Sequence, residues 1–189
     1  AAEHGYLVLL GDCAQQQQQE KTFVNLIITK QIDGMLLLGS NVPFDASKEE
    51  QKNLPPMVMA NEFAPELELP TVHIDNLTAA FEAVLYLHEL GHHRIACIAG
   101  PESMPLSKYR LRGYIQALRR CGIAEEKSFV ERGDFTYEAG AQAMHNLMSL
   151  PQPPTAIFCH SDVMAIGALS QAKRMGLRVP DDVSLVGFD

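Results

Sequence analysis

The segment Thr155–Leu169, Thr-Ala-Ile-Phe-Cys-His-Ser-Asp-Val-Met-Ala-Ile-Gly-Ala-Leu, constrains the fold more than any other. Ala156 to Cys159 is a short continuous apolar run, as expected of a strand buried on both faces. His160, Ser161 and Asp162 break it, and an apolar segment with small residues then continues to Met175. Ser161 is placed to cap a helix, because its hydroxyl can accept from an amide one turn on. A buried strand turning directly into a capped helix is the repeating unit of an open parallel α/β sheet. In such sheets ligands bind outside the carboxyl ends of the strands, where His160, Ser161 and Asp162 would stand. Two uses of the polar break follow: a ligand edge, or only a helix cap.

The same grammar recurs along the chain. Ala1 to Gly5 reads as the end of a helix closed by glycine, and Tyr6 to Leu10 as a buried strand before Gly11-Asp12-Cys13. Gln15 to Gln19 leads into Phe23, Leu26, Ile27 and Lys30 at helical spacing. Met35–Leu38 and Met57–Ala60 are further strand-like runs, with the capping box Ser47-x-x-Glu50 between them. Phe63 to Pro70 has no helical period and is expected to be a loop. Thr71–Ile74, Ile95–Ala99, Phe129–Phe135 and Ser184–Phe188 read as strands. Leu77–Leu90, Leu106–Arg120 and Tyr137–Leu150 read as helices, the last capped by Thr136. Short apolar runs alternating with helical patterns predict α/β architecture with parallel sheets. A loop-rich stretch hands over to a fresh β-α series at Thr71–Asn76, so two lobes are expected, roughly 1–74 and 75–189.

Charge narrows the partners. The 189 residues hold 23 acidic side chains against 15 Lys and Arg, a formal charge of -8. A chain of that sign repels phosphate backbones, so nucleic-acid binding by this segment itself is not expected. No apolar run approaches the ~20 residues of a membrane span. Of the four cysteines, Cys97 and Cys159 fall inside strand-like runs, Cys13 and Cys121 do not, and no Cys-x-x-Cys spacing occurs. Buried reduced thiols suit a cytoplasmic protein.

The candidate chemistry is a set of polar residues at predicted strand ends. His92-His93 sits in a helix-to-strand turn with no third ligand at zinc-like spacing, so a solvated turn is favoured over a metal site. The segment after Ile95–Ala99 lacks both phosphate-loop patterns, but it places Lys108, Tyr109 and Arg110 near a helix start. Arg110 could offer a planar fork of donors to hydroxyls or a carboxylate, or it could be a solvated helix residue. Phe135, after Gly133-Asp134, could stack on a ligand or fill core. Asp189, after Gly187-Phe188, could accept two hydroxyl hydrogen bonds at once. No nucleophile elbow occurs, and strand alternation turns Cys159 and His160 to opposite faces. These residues look like a binding set rather than a reacting one, with no metal or cofactor.

Taken in order, the motifs resemble the effector-binding core of the lac-repressor (LacI/GalR) family. The matching stretches are Val72-His-Ile-Asp-Asn76, Gly91-His-His-Arg-Ile-Ala-Cys-Ile-Ala-Gly-Pro101, Gly133-Asp-Phe135, Pro154-Thr-Ala-Ile-Phe-Cys-His-Ser-Asp-Val-Met-Ala165 and Val179-Pro-Asp-Asp-Val-Ser-Leu-Val-Gly-Phe-Asp189. Within the family, Pro55-Pro-Met-Val-Met-Ala-Asn-Glu-Phe-Ala-Pro-Glu-Leu-Glu-Leu-Pro70 resembles a cytidine-responsive branch.

The resemblance implies a periplasmic-binding-protein-like fold, two Rossmann-like lobes with the ligand in the cleft between them. It implies an effector set of Asn61, Leu106, Arg110, Phe135, Ser161 and Asp189. Leu106 stands where several relatives carry a small polar residue, and Asn61 where relatives often carry aspartate. Both departures make the set less anionic, as a neutral nucleoside would require.

The implied partners are cytidine or a related nucleoside, a second copy of the chain, and operator DNA reached through an amino-terminal head outside this segment. The cyclic-AMP receptor protein beside the operator completes the set. Small residues at Ala165, Gly167, Ala168 and Ala172 are expected either at the subunit interface or packed within their own lobe. The resemblance also implies a strand and helix before Ala1 and a return crossing after Asp189, with the second lobe the more nearly complete. A periplasmic solute-binding protein of the same fold and a nucleoside-processing enzyme are the alternatives.

Overall fold

The computed structural model describes residues 1–11, 26, 29–38, 55–62 and 69–189. Most of the helix predicted through Phe23, Leu26, Ile27 and Lys30, the Ser47–Glu50 capping box and most of the loop from Phe63 fall outside the described residues. The chain divides into two compact units, Ala1–His73 and Ile74–Asp189.

In the first unit, β1 (Met35–Leu37), β2 (Met57–Ala60) and β3 (Thr71–Val72) form a parallel sheet in the order β1-β2-β3. Among the described residues of this unit, Leu37 and Met59 form a buried cluster, with Met35 and Leu69 packed against them. Gly5 closes a short 3-10 turn, Ala2–His4, in the left-handed conformation, as its place in the sequence predicts. The strand expected at Tyr6–Leu10 does not form. Its side chains are 58% to 94% exposed, and the run enters no ladder. An apolar run becomes a strand only when a neighbour takes up its backbone groups, and none of the described strands pairs with this one.

In the second unit, four parallel strands run in the order β5-β4-β6-β7: β4 (Ile95–Ala99), β5 (Val130–Arg132), β6 (Ala156–Cys159) and β7 (Ser184–Val186). Strand alternation sorts the core. Ile95, Cys97, Ala99, Ala156 and Phe158 point to one face, where α1 (Asn76–Glu89) and α2 (Pro105–Arg120) pack. Ala96, Ile98, Ile157 and Cys159 point to the other, under α3 (Tyr137–Met148) and α4 (Asp162–Arg174). Tyr114, fully buried, donates its hydroxyl to the Ile95 carbonyl at 2.8 Å and so fixes α2 to β4.

Three helix starts are capped by side chains, and the caps at Thr136 and Ser161 were legible in the sequence. Asp75 accepts from the Thr78 amide, Thr136 from Ala139 and Ser161 from Met164. The predicted strand Phe129–Phe135 is shorter than expected. Lys127–Phe129 forms a 3-10 turn, and Phe135 at φ 67 bends the backbone away from the ladder.

The small residues of α4 are used inside the unit. Gly167 lies against the Tyr137 carbonyl of α3, and Gly140 of α3 lies against the Met164 backbone of α4. Ala168 and Ala172 are fully buried in the same core. Of the two placements expected for this group, packing within its own lobe holds for Gly167, Ala168 and Ala172. Two helices can approach backbone to backbone only where both lack side-chain bulk, and these positions serve that approach. Val163 and Ile166, 51% and 58% exposed, make the outer face of α4.

Candidate functional site

Because β4 to β7 are parallel, the residues that follow them gather at one edge of the sheet: Gly100, Gly133 to Phe135, His160 with Ser161, and Gly187 to Asp189. The connection that leaves β4 runs to β5 and the one that leaves β6 runs to β7, in opposite directions across the sheet. Such a switch point opens a crevice at the carboxyl edge of a doubly wound sheet.

Arg110 is the centre of that edge. It is only 6% exposed, so the solvated-arginine reading is excluded. Its Nε donates to Asn76 Oδ1 at 2.8 Å and one terminal nitrogen donates to the His160 carbonyl. The guanidinium carbon lies 3.9 Å from the centre of the Phe188 ring. A buried guanidinium needs its donors satisfied and an aromatic face supplies further stabilisation. Arg110 thus joins the first residue of α1, the end of β6 and the segment after β7.

His160 is fully buried beside it. Its Nδ1 accepts from the Gly100 amide at 3.1 Å, so the ring proton is on Nε2, which faces the Cys97 sulfur at 3.3 Å. Burial, and then the charges of Arg110 and Arg132, push its pKa down to about 3. The imidazole is a neutral brace between β4 and β6. Cys97 is pushed well up by burial and by Cys159, against the opposing pull of Arg132. Cys159 is pushed up to about 12 by burial and then by Asp162. Cys159 faces the other core layer, so alternation separates the adjacent Cys159 and His160 as expected.

Phe135 is half-buried, and its ring lies on Gly100, where any Cβ would run into it. Its turn is clamped by Asp134, whose Oδ1 accepts from the Thr136 hydroxyl at 2.6 Å and from the Thr136 amide at 3.1 Å. Those two bonds, the side-chain one first, hold the Asp134 carboxyl below its ordinary range. Leu106, at the start of α2, is buried. Ser161 is half-buried, its oxygen accepting from the Met164 amide at 3.2 Å, so the helix-cap role is present. Asp189 is exposed. Asn61 belongs to the first unit; it is exposed after β2, at φ 70, with its amide on the Val72 carbonyl at 2.9 Å.

The structure brings Arg110 and Phe135 to this edge together with residues that strand-end reasoning did not single out: Asn76, Ser107 and Phe188. A polar residue directly after the Asp75 cap was the one available signal for Asn76. His92 and His93 take local roles, as a turn would. His92 Nδ1 pairs with Thr155 Oγ1 at 3.0 Å, and His93 meets the edge of His88 with ring centres 5.1 Å apart. With His160 neutral and occupied on both nitrogens, and the Cys97 and Cys159 thiols protonated, the edge is equipped to bind rather than to react.

Comparison with known proteins agrees. The profile described as "Periplasmic binding proteins and sugar binding domain of LacI family" matches residues 1–189. The chain belongs to this family. Among LacI-family relatives, it is 77% identical over 189 residues to the HTH-type transcriptional repressor CytR of Escherichia coli (strain K12), covering 100% of this chain and 55% of that protein. It is 36% identical to the HTH-type transcriptional repressor PurR of Shigella dysenteriae serotype 1 (strain Sd197), covering 99% of this chain and 55% of that one. A crystal structure described as a putative transcriptional regulator LacI from Bacillus cereus superposes with a TM-score of 0.87 at 32% identity, over 100% of this chain and 67% of that one. The chain spans about half the length of the curated relatives it matches. These relatives are transcriptional repressors of the LacI family, not enzymes, and the fold is the periplasmic-binding-protein-like α/β architecture. Among the described residues, no helix is long and apolar enough to cross a membrane.

Proposed function

We propose that this chain is the effector-sensing core of a cytoplasmic transcriptional repressor, and that its effector is a neutral nucleoside, cytidine or a close pyrimidine relative. The observation that carries the reading is the 77% identity to CytR across all 189 residues. The strand-end chemistry supports it: one buried arginine, a neutral histidine, an aromatic ring and a carboxylate, without a phosphate-binding loop.

In this reading Leu106, Arg110, Phe135, Ser161 and Asp189 meet the effector, and Asn61 enters the set on sequence resemblance alone. The chain works as two lobes, 1–74 and 75–189. Operator DNA is bound through a head outside this segment, in keeping with the charge of -8 here. Two copies pair through the outer face of α4, and the cyclic-AMP receptor protein is the neighbour on DNA.

Titration calorimetry on the full-length protein tests the ligand class. Cytidine is expected to bind at least tenfold more tightly than its 5′-monophosphate, because nothing at the edge is built to hold a phosphate. Tighter binding of the monophosphate, or no binding of any nucleoside, would refute the reading.

A further inference from the structure

Ser107, the third residue of α2, is 2% exposed, and its hydroxyl has no hydrogen-bond partner among the described residues. Buried hydroxyls are almost always paired, so an unpaired one needs a reason. The surroundings supply it. The Ser107 oxygen and the Phe135 ring both press on Gly100, since a Cβ there would collide with the two of them together. Hydroxyl and ring are therefore neighbours across the glycine that ends β4, at the switch point of the sheet. Phe135 itself is held at φ 67, a conformation costly for a bulky residue and typical of segments kept under strain for function. Its ring is half-buried and can be reached from outside.

We propose that Ser107 is a specificity-determining residue of the effector site, reading the polar edge of the nucleobase. This rests on the nucleoside reading above. The Phe135 ring covers Gly100 and the Ser107 hydroxyl until a flat heterocycle enters. The base then takes the place over Gly100, the ring moves onto its outer face, and the hydroxyl pairs with a carbonyl or amino group of the base. A hydroxyl both donates and accepts, so it can meet either group. An apolar residue at this position would leave the base edge unpaired, which is how a binding site rejects the wrong partner.

The test is Ser107→Ala in the full-length protein, with cytidine titrated by calorimetry and the ligand-free melting temperature measured alongside. The expected result is an affinity about tenfold weaker, with a melting temperature unchanged or raised, because alanine removes an unpaired polar atom from the interior. A purely structural serine would instead lower the melting temperature. Wild-type binding with Ser107→Ala within twofold of it overturns this proposal and leaves the effector reading intact. So does a lower affinity accompanied by a lower melting temperature. If the wild-type protein binds no nucleoside, the effector reading fails and this proposal falls with it.

Discussion

Replacing Arg110 by alanine separates the two duties assigned to it. The structural duty can be sized from its partners. Two hydrogen bonds from a charged donor contribute about 1.5–3 kcal/mol each, and the stacking on Phe188 adds about 0.5–2 kcal/mol. These do not add in full, because the space left by the guanidinium admits water that re-pairs Asn76 and the His160 carbonyl. The expected loss is therefore about 3 kcal/mol, less than the contacts sum to. It is a large share of the ~5–15 kcal/mol available to a typical protein, yet leaves the variant able to fold.

Urea unfolding of the full-length protein, followed by circular dichroism, measures this loss. Arg110→Lys should recover little, since an ammonium cannot reach Asn76, the His160 carbonyl and the Phe188 face together. A loss under about 1 kcal/mol would mean that these contacts do not hold the edge, and the account of Arg110 would be wrong. Calorimetry on the folded variant measures the other duty. An arginine that also donates to ribose hydroxyls should cost about 1.5–3 kcal/mol of cytidine binding when removed. A destabilised variant that binds cytidine normally would leave Arg110 as a brace and strike it from the effector set.

Other expected outcomes are as direct. His160 has its pKa depressed in the fold, so its contribution is full above the unfolded value of ~6.5 and lost as pH falls toward 3, by up to ~1.4 kcal/mol per pH unit. Unfolding free energies measured between pH 7 and 4 should show a shallower slope for His160→Asn than for the wild-type protein; equal slopes would refute the buried neutral imidazole. Gly167→Ala should destabilise by about 1–3 kcal/mol in urea melts, because the clash with the Tyr137 carbonyl outweighs the ~1 kcal/mol gain in helix propensity. Ile166→Asp, on the outer face of α4, should sediment as a monomer, and an unchanged sedimentation coefficient would exclude that face as the pairing surface.

What could be read from sequence divides by range. β4, β6 and their faces followed from two-residue alternation, and the caps at Thr136 and Ser161 from interactions within one turn. Tyr6–Leu10 failed because a strand is defined by its partner, not by its own apolar pattern. The α4 glycine and alanines showed that something must come close; only the structure says that it is α3 rather than a second subunit. The strand-end positions were legible because parallel strands share one carboxyl edge. Their chemistry was not. Arg110 bonds to residues 34 and 50 positions away, and His160 to Cys97 across 63. Nothing local in either residue announces such partners. Ser107 gave no signal at all, since a serine in the first turn of a helix is ordinary until its hydroxyl is found buried and unpaired.

The long-range contacts also suggest why the edge is braced as it is. Asn76 stands two residues past Ile74, where the second unit begins, and its side chain is held by Arg110. The same guanidinium holds the end of β6 through the His160 carbonyl. A ligand hydroxyl that draws on Arg110 therefore competes with both, and any shift of the arginine is felt at once at the strand end and at the start of α1. Interiors packed this tightly do not deform smoothly, so such a competition resolves into alternative arrangements rather than a graded drift. His160 cannot absorb the change by taking up a proton near neutral pH, and its two ring nitrogens pin Gly100 and Cys97 in place. In the proposed reading, a ligand that draws on Arg110 acts first on Asn76, two residues past the start of the second unit.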